Sequence, residues 1–207
     1  MPRSIIATLG ALAIGVLLAL ASLQLNFPTG WIGALALAVW VASAWRRWAT
    51  LERTTGLEPG APERIVRFHA VGAALLFGHL VATLAVPNVD IHVGNGNYLA
   101  IDSWTMIAAM IAIGFVVSKA GDIRDERDET IKARGTKAGF LSLIAGLVVF
   151  PFVLGFLPPT DGKSLTLFMA GNIQIAIVVA SLLIKYAVQL LEYAKDTNAN
   201  FDIGDGE

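Results

Sequence analysis

The side chains able to do chemistry are few, and they occur in two settings. His69 and His79 lie inside an apolar run, with His92 beyond its end. The second setting is "GDIRDERDETIKARG" at 121–135, dense in both signs of charge and flanked by apolar runs. An ionisable group inside a long apolar run is a functional hypothesis by default, because hydrocarbon solvates it poorly. His79, near the middle of its run, is the foremost example. A hydrogen bond to Asn172 or Gln174 of the last apolar run would satisfy it, worth about 0.6–2 kcal/mol in a membrane. The same three residues would line a path in a channel or transporter, although Asn172 and Gln174, two positions apart, face different sides of a helix. Two imidazoles can also hold a haem iron. His69 and His79 are about 80° out of alignment on an ideal helix, and the chain has only 3 His. No cofactor is therefore expected.

Set on a helix, Asp122, Asp125, Glu126 and Glu129 fall at i, i+3, i+4 and i+7 and form one acidic stripe. Arg124 with Asp128, and Asp128 with Lys132, make i,i+4 pairs of about 0.2–0.5 kcal/mol each, and like charges within the stripe cost similar amounts. The stripe therefore gains from an outside cation. Arg53, Arg64 and Arg67 of another charged connector are the nearest candidates in sequence. A protein partner contacting Asp122, Asp125, Glu126 and Glu129, with Arg124 and Arg127 beside them and Arg53 and Arg64 opposite, is the functional version. No metal site is expected, because the acids lack the alternating ligand spacing of a calcium loop. No catalytic residue stands out: G-x-S-x-G, H-E-x-x-H and the P-loop pattern are all missing. "GNGN" at 94–97 reads as a turn. The absence of cysteine removes disulfides, thiolate metal sites and thiol nucleophiles. The chain does not read as an enzyme.

The elements that must position these groups follow from composition. The chain is 207 residues, 56% hydrophobic and 15% charged, with mean hydropathy +0.67. Soluble domains run at about 45–50% apolar and about 25% charged. A spanning helix needs about 20 mostly apolar residues. Segments 4–25, 29–48, 66–87, 100–119, 137–157 and 165–190 qualify, predicting an all-α membrane bundle of six spans over residues 1–195 in three hairpins. Residues 196–207 read as a flexible polar tail. Pro28 precedes the second span, Asp102 or Ser103 fits as N-cap of the fourth, and Pro151 should kink the fifth. The spacings "GALAIG" at 10–15 and "AVGAALLFG" at 70–78 allow close helix packing. Arg3, the apolar stretch and "ALA" at 19–21 also fit a signal peptide, but the run is long for one, and a retained span is expected.

With the N-terminus in the cytoplasm, every Lys and Arg except Lys163 falls on the inner side, out of 15 in all. That asymmetry places both termini and the two charged connectors inside. Trp31, Tyr98 and Trp104 would belt the outer interface, and Trp40, Trp45, Trp48 and Tyr193 the inner one. "PERIVRFHAVGAALL" at 62–76 and "DETIKARGTKAGFLS" at 128–142 are faintly alike and suggest a duplicated two-helix unit. Net charge is −1, so direct nucleic-acid binding is not expected.

"DERDETIKARGTKAG" resembles the D-E-R-D-x-x-I signature of uncharacterised small prokaryotic membrane proteins, in which it joins two transmembrane helices. The resemblance covers Asp125 to about Gly139 and the flanking spans. It implies membrane-bound control of a cytoplasmic partner, such as a small helix-turn-helix transcription regulator. It carries over no catalytic residue, and six spans are more than that group has. The expectation is a non-enzymatic, multi-pass regulator or scaffold of a prokaryotic cytoplasmic (inner) membrane, with a cytoplasmic protein partner and scope for a homo-oligomer. The rival readings are a small oligomeric channel or transporter and a membrane enzyme or cofactor-binding subunit.

Overall fold

The computed structural model describes residues 2–55, 60–86, 98–118, 125–156 and 167–202. These form six helices: α1 (Pro2–Leu25), α2 (Gly30–Thr55), α3 (Ala61–Ala85), α4 (Leu99–Ser118), α5 (Glu126–Phe156) and α6 (Leu167–Asp202). No strand occurs among the described residues. Five of the helices are long and apolar enough to cross a membrane, α2 being the exception. The apolar stretch of α2 is cut short by Trp45, Arg46, Arg47 and Trp48. Helices are the expected solution for such a chain, since every interior backbone group is bonded within its own segment.

Several helices outrun their apolar segments. α2 continues past residue 48 to Thr55, α3 starts at Ala61 rather than 66, and α5 starts at Glu126 rather than 137. Hydropathy marks only the apolar part of a helix, while capping decides where it starts. At α5 the backbone N–H of Asp128 donates to Asp125 Oδ1 at 2.7 Å, and Asp125 N–H points back at Asp128 Oδ2 at 3.4 Å. This reciprocal arrangement is a capping box. α3 carries a proline in its first turn, where the missing N–H has no partner to lose. The charged connector is thus largely the opening of α5. α5 has 31 residues, about 46 Å at 1.5 Å per residue, against a hydrocarbon core of about 30 Å. It continues through Pro151 as one helix. α6 likewise extends to Asp202, past the expected start of a tail at 196.

α3 is the central helix, packed against α1, α4 and α6. α1 takes α3 as its main partner and α2 takes α4, while α5 packs on α6. The expected first hairpin, α1 with α2, is therefore not the principal contact of either helix. The reason is steric. A Cβ built on Gly15 would overlap the Leu75 carbonyl oxygen, and one on Gly78 would overlap the Leu12 carbonyl oxygen. The two backbones touch there, as small residues at a membrane crossing allow. Gly10, at the other end of "GALAIG", faces open space. α5 and α6 meet in the same way: a Cβ on Gly135 would press on Lys185 O and Gln189, and one on Gly139 on Ser181 O and Lys185. The two similar segments at 62–76 and 128–142 both flank α6, where Val66, Ile131 and Tyr193 share a buried cluster. The central core joins Ala11, Leu37, Phe68, Leu75, Leu80, Met106 and Val179 from the faces of five helices. Large apolar side chains such as Phe140, Val148 and Phe152 on α5 remain exposed.

Candidate functional site

Two polar clusters stand out, one where the first turns of α3 and α5 meet the last turns of α6, and one among the opposite ends of α1 to α4. In the first, Tyr193 donates its hydroxyl to Asp128 Oδ1 at 2.7 Å, and the Arg127 guanidinium lies 5.8 Å from the Tyr193 ring, within cation–π range. Arg134 of α5 pairs with Glu192 of α6, and Lys195 pairs with the same carboxylate at 2.8 Å. Gln189 Nε2 donates to the Lys132 carbonyl at 3.3 Å. His69 stacks on Tyr186 at 4.9 Å and 14°, and Lys185 Nζ sits 5.2 Å from the Tyr186 ring. A cavity of about 220 Å³ lies among these groups, lined in part by His69, Asp128, Lys132 and Lys185.

The expected partner-binding residues divide accordingly. Asp125 caps α5. Glu126 is exposed. Glu129 pairs with Lys132 on its own helix. Arg127 lies over Tyr193. Arg53 is exposed near the end of α2 and Arg64 is half-buried on α3. Asp122 and Arg124, and with them His92, lie outside the described residues. Arg67, offered as a cation for the acidic stripe, pairs with Glu63 one turn away on α3.

The second cluster centres on Asp102, the only carboxylate within any of the six apolar segments. It was expected, with Ser103, as a cap for α4. That expectation fails: α4 begins at Leu99, and Asp102 N–H already bonds Tyr98 O at 2.7 Å. Its carboxylate serves other helices. Oδ1 accepts from Gly30 N at 2.7 Å, and Oδ2 accepts from Ser22 Oγ at 2.6 Å, with Thr29 Oγ1 3.2 Å away. Thr29 also donates to Leu18 O at 3.0 Å. Asp102 therefore caps α2 from across the bundle and places a negative charge at that helix's positive end. A Cβ on Gly30 would clash with the Asp102 backbone, so glycine there lets α2 approach α4. Asp102, Ser22 and Thr29 are each at most 2% exposed.

His79 belongs to the same region and is fully buried. Its Nδ1 lies 3.2 Å from Ser103 Oγ, whose hydroxyl donates to Leu99 O at 3.0 Å. The other ring nitrogen, Nε2, is buried and has no partner among the described residues. The expected bond from His79 to Asn172 or Gln174 is thus replaced by one to α4. The physical reason is position: Ser103 sits one turn into α4 against α3, whereas Gln174 is exposed on α6. Sequence reading passed over Ser22, Thr29 and Gly30, and took Ser103 only as a cap candidate for α4. The signal open to it was the lone carboxylate at Asp102 beside a Thr-Gly helix start.

Among the described residues no group of three or more His, Asp or Glu could hold a metal ion. Comparison of the chain with protein-family models, with curated proteins and with solved structures gives no match.

Proposed function

We propose that the chain is a six-span protein of a prokaryotic cytoplasmic membrane, both termini inside, that acts as a regulator or scaffold by binding a cytoplasmic protein through its inner face. α1 is retained as a span in this reading, supported by its backbone contact with α3 at Gly15 and Gly78. The distribution of Lys and Arg supports the orientation, and Trp31, Trp104 and Trp45, all exposed, suit the aromatic belts found at both membrane–water interfaces. The observation that carries the partner reading is the opening of α5. There Glu126, Arg127 and Glu129 are exposed on a helix braced to α6 by Asp128–Tyr193 and Arg134–Glu192. A rigid helix end bearing exposed charge of both signs offers a surface that loses little entropy on binding. The resemblance of "DERDETIKARGTKAG" to small prokaryotic membrane proteins favours a helix-turn-helix regulator as the partner class.

The test is photo-crosslinking from positions 126 and 129 in intact cells. The reading expects one discrete soluble protein at both positions, each capture lost when the other of the two glutamates is reversed to Arg. Crosslinks to lipid alone, or capture unaffected by the reversal, would remove the partner claim.

A further inference from the structure

Between the first half of α1 and the last turns of α6 the bundle leaves a groove of about 540 Å³, within the range of specific ligand sites. Ile5, Leu9 and Leu12 form one wall, and Leu183, Ala187 and Leu191 the other. Leu9 is 62% and Leu191 49% exposed, so the groove opens sideways from the bundle. Its polar end is made by Ser4, Glu63 and Arg67. Around the start of α1 lies a second cavity of about 200 Å³ that shares Ser4, Arg67 and Leu190 with the first and adds Arg47 and Trp48. The two spaces therefore meet at Arg67. Arg67 lines both spaces and Arg47 only the smaller one, while the Glu63 carboxylate pairs with a terminal nitrogen of Arg67. Arg67 Nε is buried without a partner among the described residues, which leaves a charged donor short of an acceptor there.

We propose that this groove binds one anionic phospholipid of the inner leaflet, its phosphodiester on Arg67 and Arg47 and an acyl chain laid between α1 and α6. The apolar walls match a hydrocarbon chain. The lateral opening matches arrival from the bilayer. Arginine matches phosphate through its fork of N–H donors, and basic pockets between helices at the cytoplasmic side are a recurrent headgroup site. The proposal rests on the inward orientation of these arginines given above, but not on the soluble partner.

The test is native mass spectrometry of the delipidated full chain in detergent, offered dioleoyl phosphatidylglycerol, dioleoyl phosphatidylcholine or glycerol phosphate at equal concentration. Phosphatidylglycerol should be retained one to one. Phosphatidylcholine should be retained at least about fivefold less, and each of Arg67→Gln and Arg47→Gln should weaken phosphatidylglycerol by about fivefold, the effect of one basic residue at a headgroup. Leu9→Trp, which fills the groove without changing charge, should lower retention of both lipids. Glu63→Gln should raise phosphatidylglycerol retention, a gain that a purely structural role for the Glu63–Arg67 pair would not produce. Equal retention of the two lipids, competition by glycerol phosphate as strong as by the lipid, or no effect of either arginine change would each overturn the proposal. Cysteine labelling at positions 53 and 126 tests the orientation separately, so a failed lipid assay with that orientation upheld removes the lipid site alone.

Discussion

Replacing Asp102 by Ala should be among the most damaging single changes to this bundle. The carboxylate is 1% exposed and receives Gly30 N, Ser22 Oγ and Thr29 Oγ1. Thr29 retains an acceptor in Leu18 O, and Ser22 can turn toward its own helix backbone. Gly30 N–H has no such freedom, because the start of α2 fixes its direction. One orphaned buried donor costs about 1–3 kcal/mol, and losing the charge at the end of α2 adds about 0.3–1 kcal/mol. With a share for Ser22, Asp102→Ala should cost about 2–4 kcal/mol. Asp102→Asn keeps the shape and one acceptor oxygen for Gly30, so it should cost about 1 kcal/mol. The assay is reversible unfolding in mixed micelles, titrated with denaturing detergent and followed by circular dichroism. An Ala variant as stable as the parent would refute the reasoning. An Asn variant as damaged as Ala would show that charge, rather than hydrogen-bond acceptance, is what the site requires.

Close helix crossings supply further expectations. Gly15→Val or Gly78→Val should push α1 off α3 and cost about 3 kcal/mol or more, read by the same unfolding titration, whereas Gly10→Ala, facing open space, should stabilise by up to about 1 kcal/mol. Gly139→Leu should separate α5 from α6 and abolish a disulfide engineered between those helices. Tyr193→Phe should destabilise by about 1 kcal/mol or more by freeing a carboxylate's hydrogen bond; Arg134→Gln, which removes a pair whose arginine side chain is 63% exposed, should cost less than about 1 kcal/mol.

The helical class and the approximate placement of the helices were legible in the sequence because both follow from long apolar runs, and such runs are unambiguous at this length. Helix ends were not. The opening of α5 depends on the Asp125–Asp128 capping box, a local hydrogen-bond pattern that hydropathy averages away. Partner choice was half legible. "AVGAALLFG" marked Gly78 as a close-packing residue, but nothing in the sequence distinguishes Gly15, which touches α3, from Gly10, where an added Cβ would meet no other described element within 4 Å. "GTKAG" at 135–139 has the spacing of a close crossing, and its charged surroundings drew attention away from it. His79 is buried, and its side-chain contact goes to Ser103 of α4 rather than to α6 as expected, since residue type reveals that a bond is needed and not where it goes. Asp102 illustrates the converse. A carboxylate near a helix start reads as that helix's cap, and only the packing of α2 on α4 reveals that it caps another.

The central claim is a membrane bundle whose charged helix ends all lie on one side. The chain lacks cysteine, so single substitutions Arg53→Cys, Glu126→Cys and Lys163→Cys can each be labelled with a membrane-impermeant maleimide in intact spheroplasts and after lysis. The account predicts that positions 53 and 126 label only after lysis and that 163 labels in intact spheroplasts. Labelling of 53 and 126 from opposite sides would contradict it.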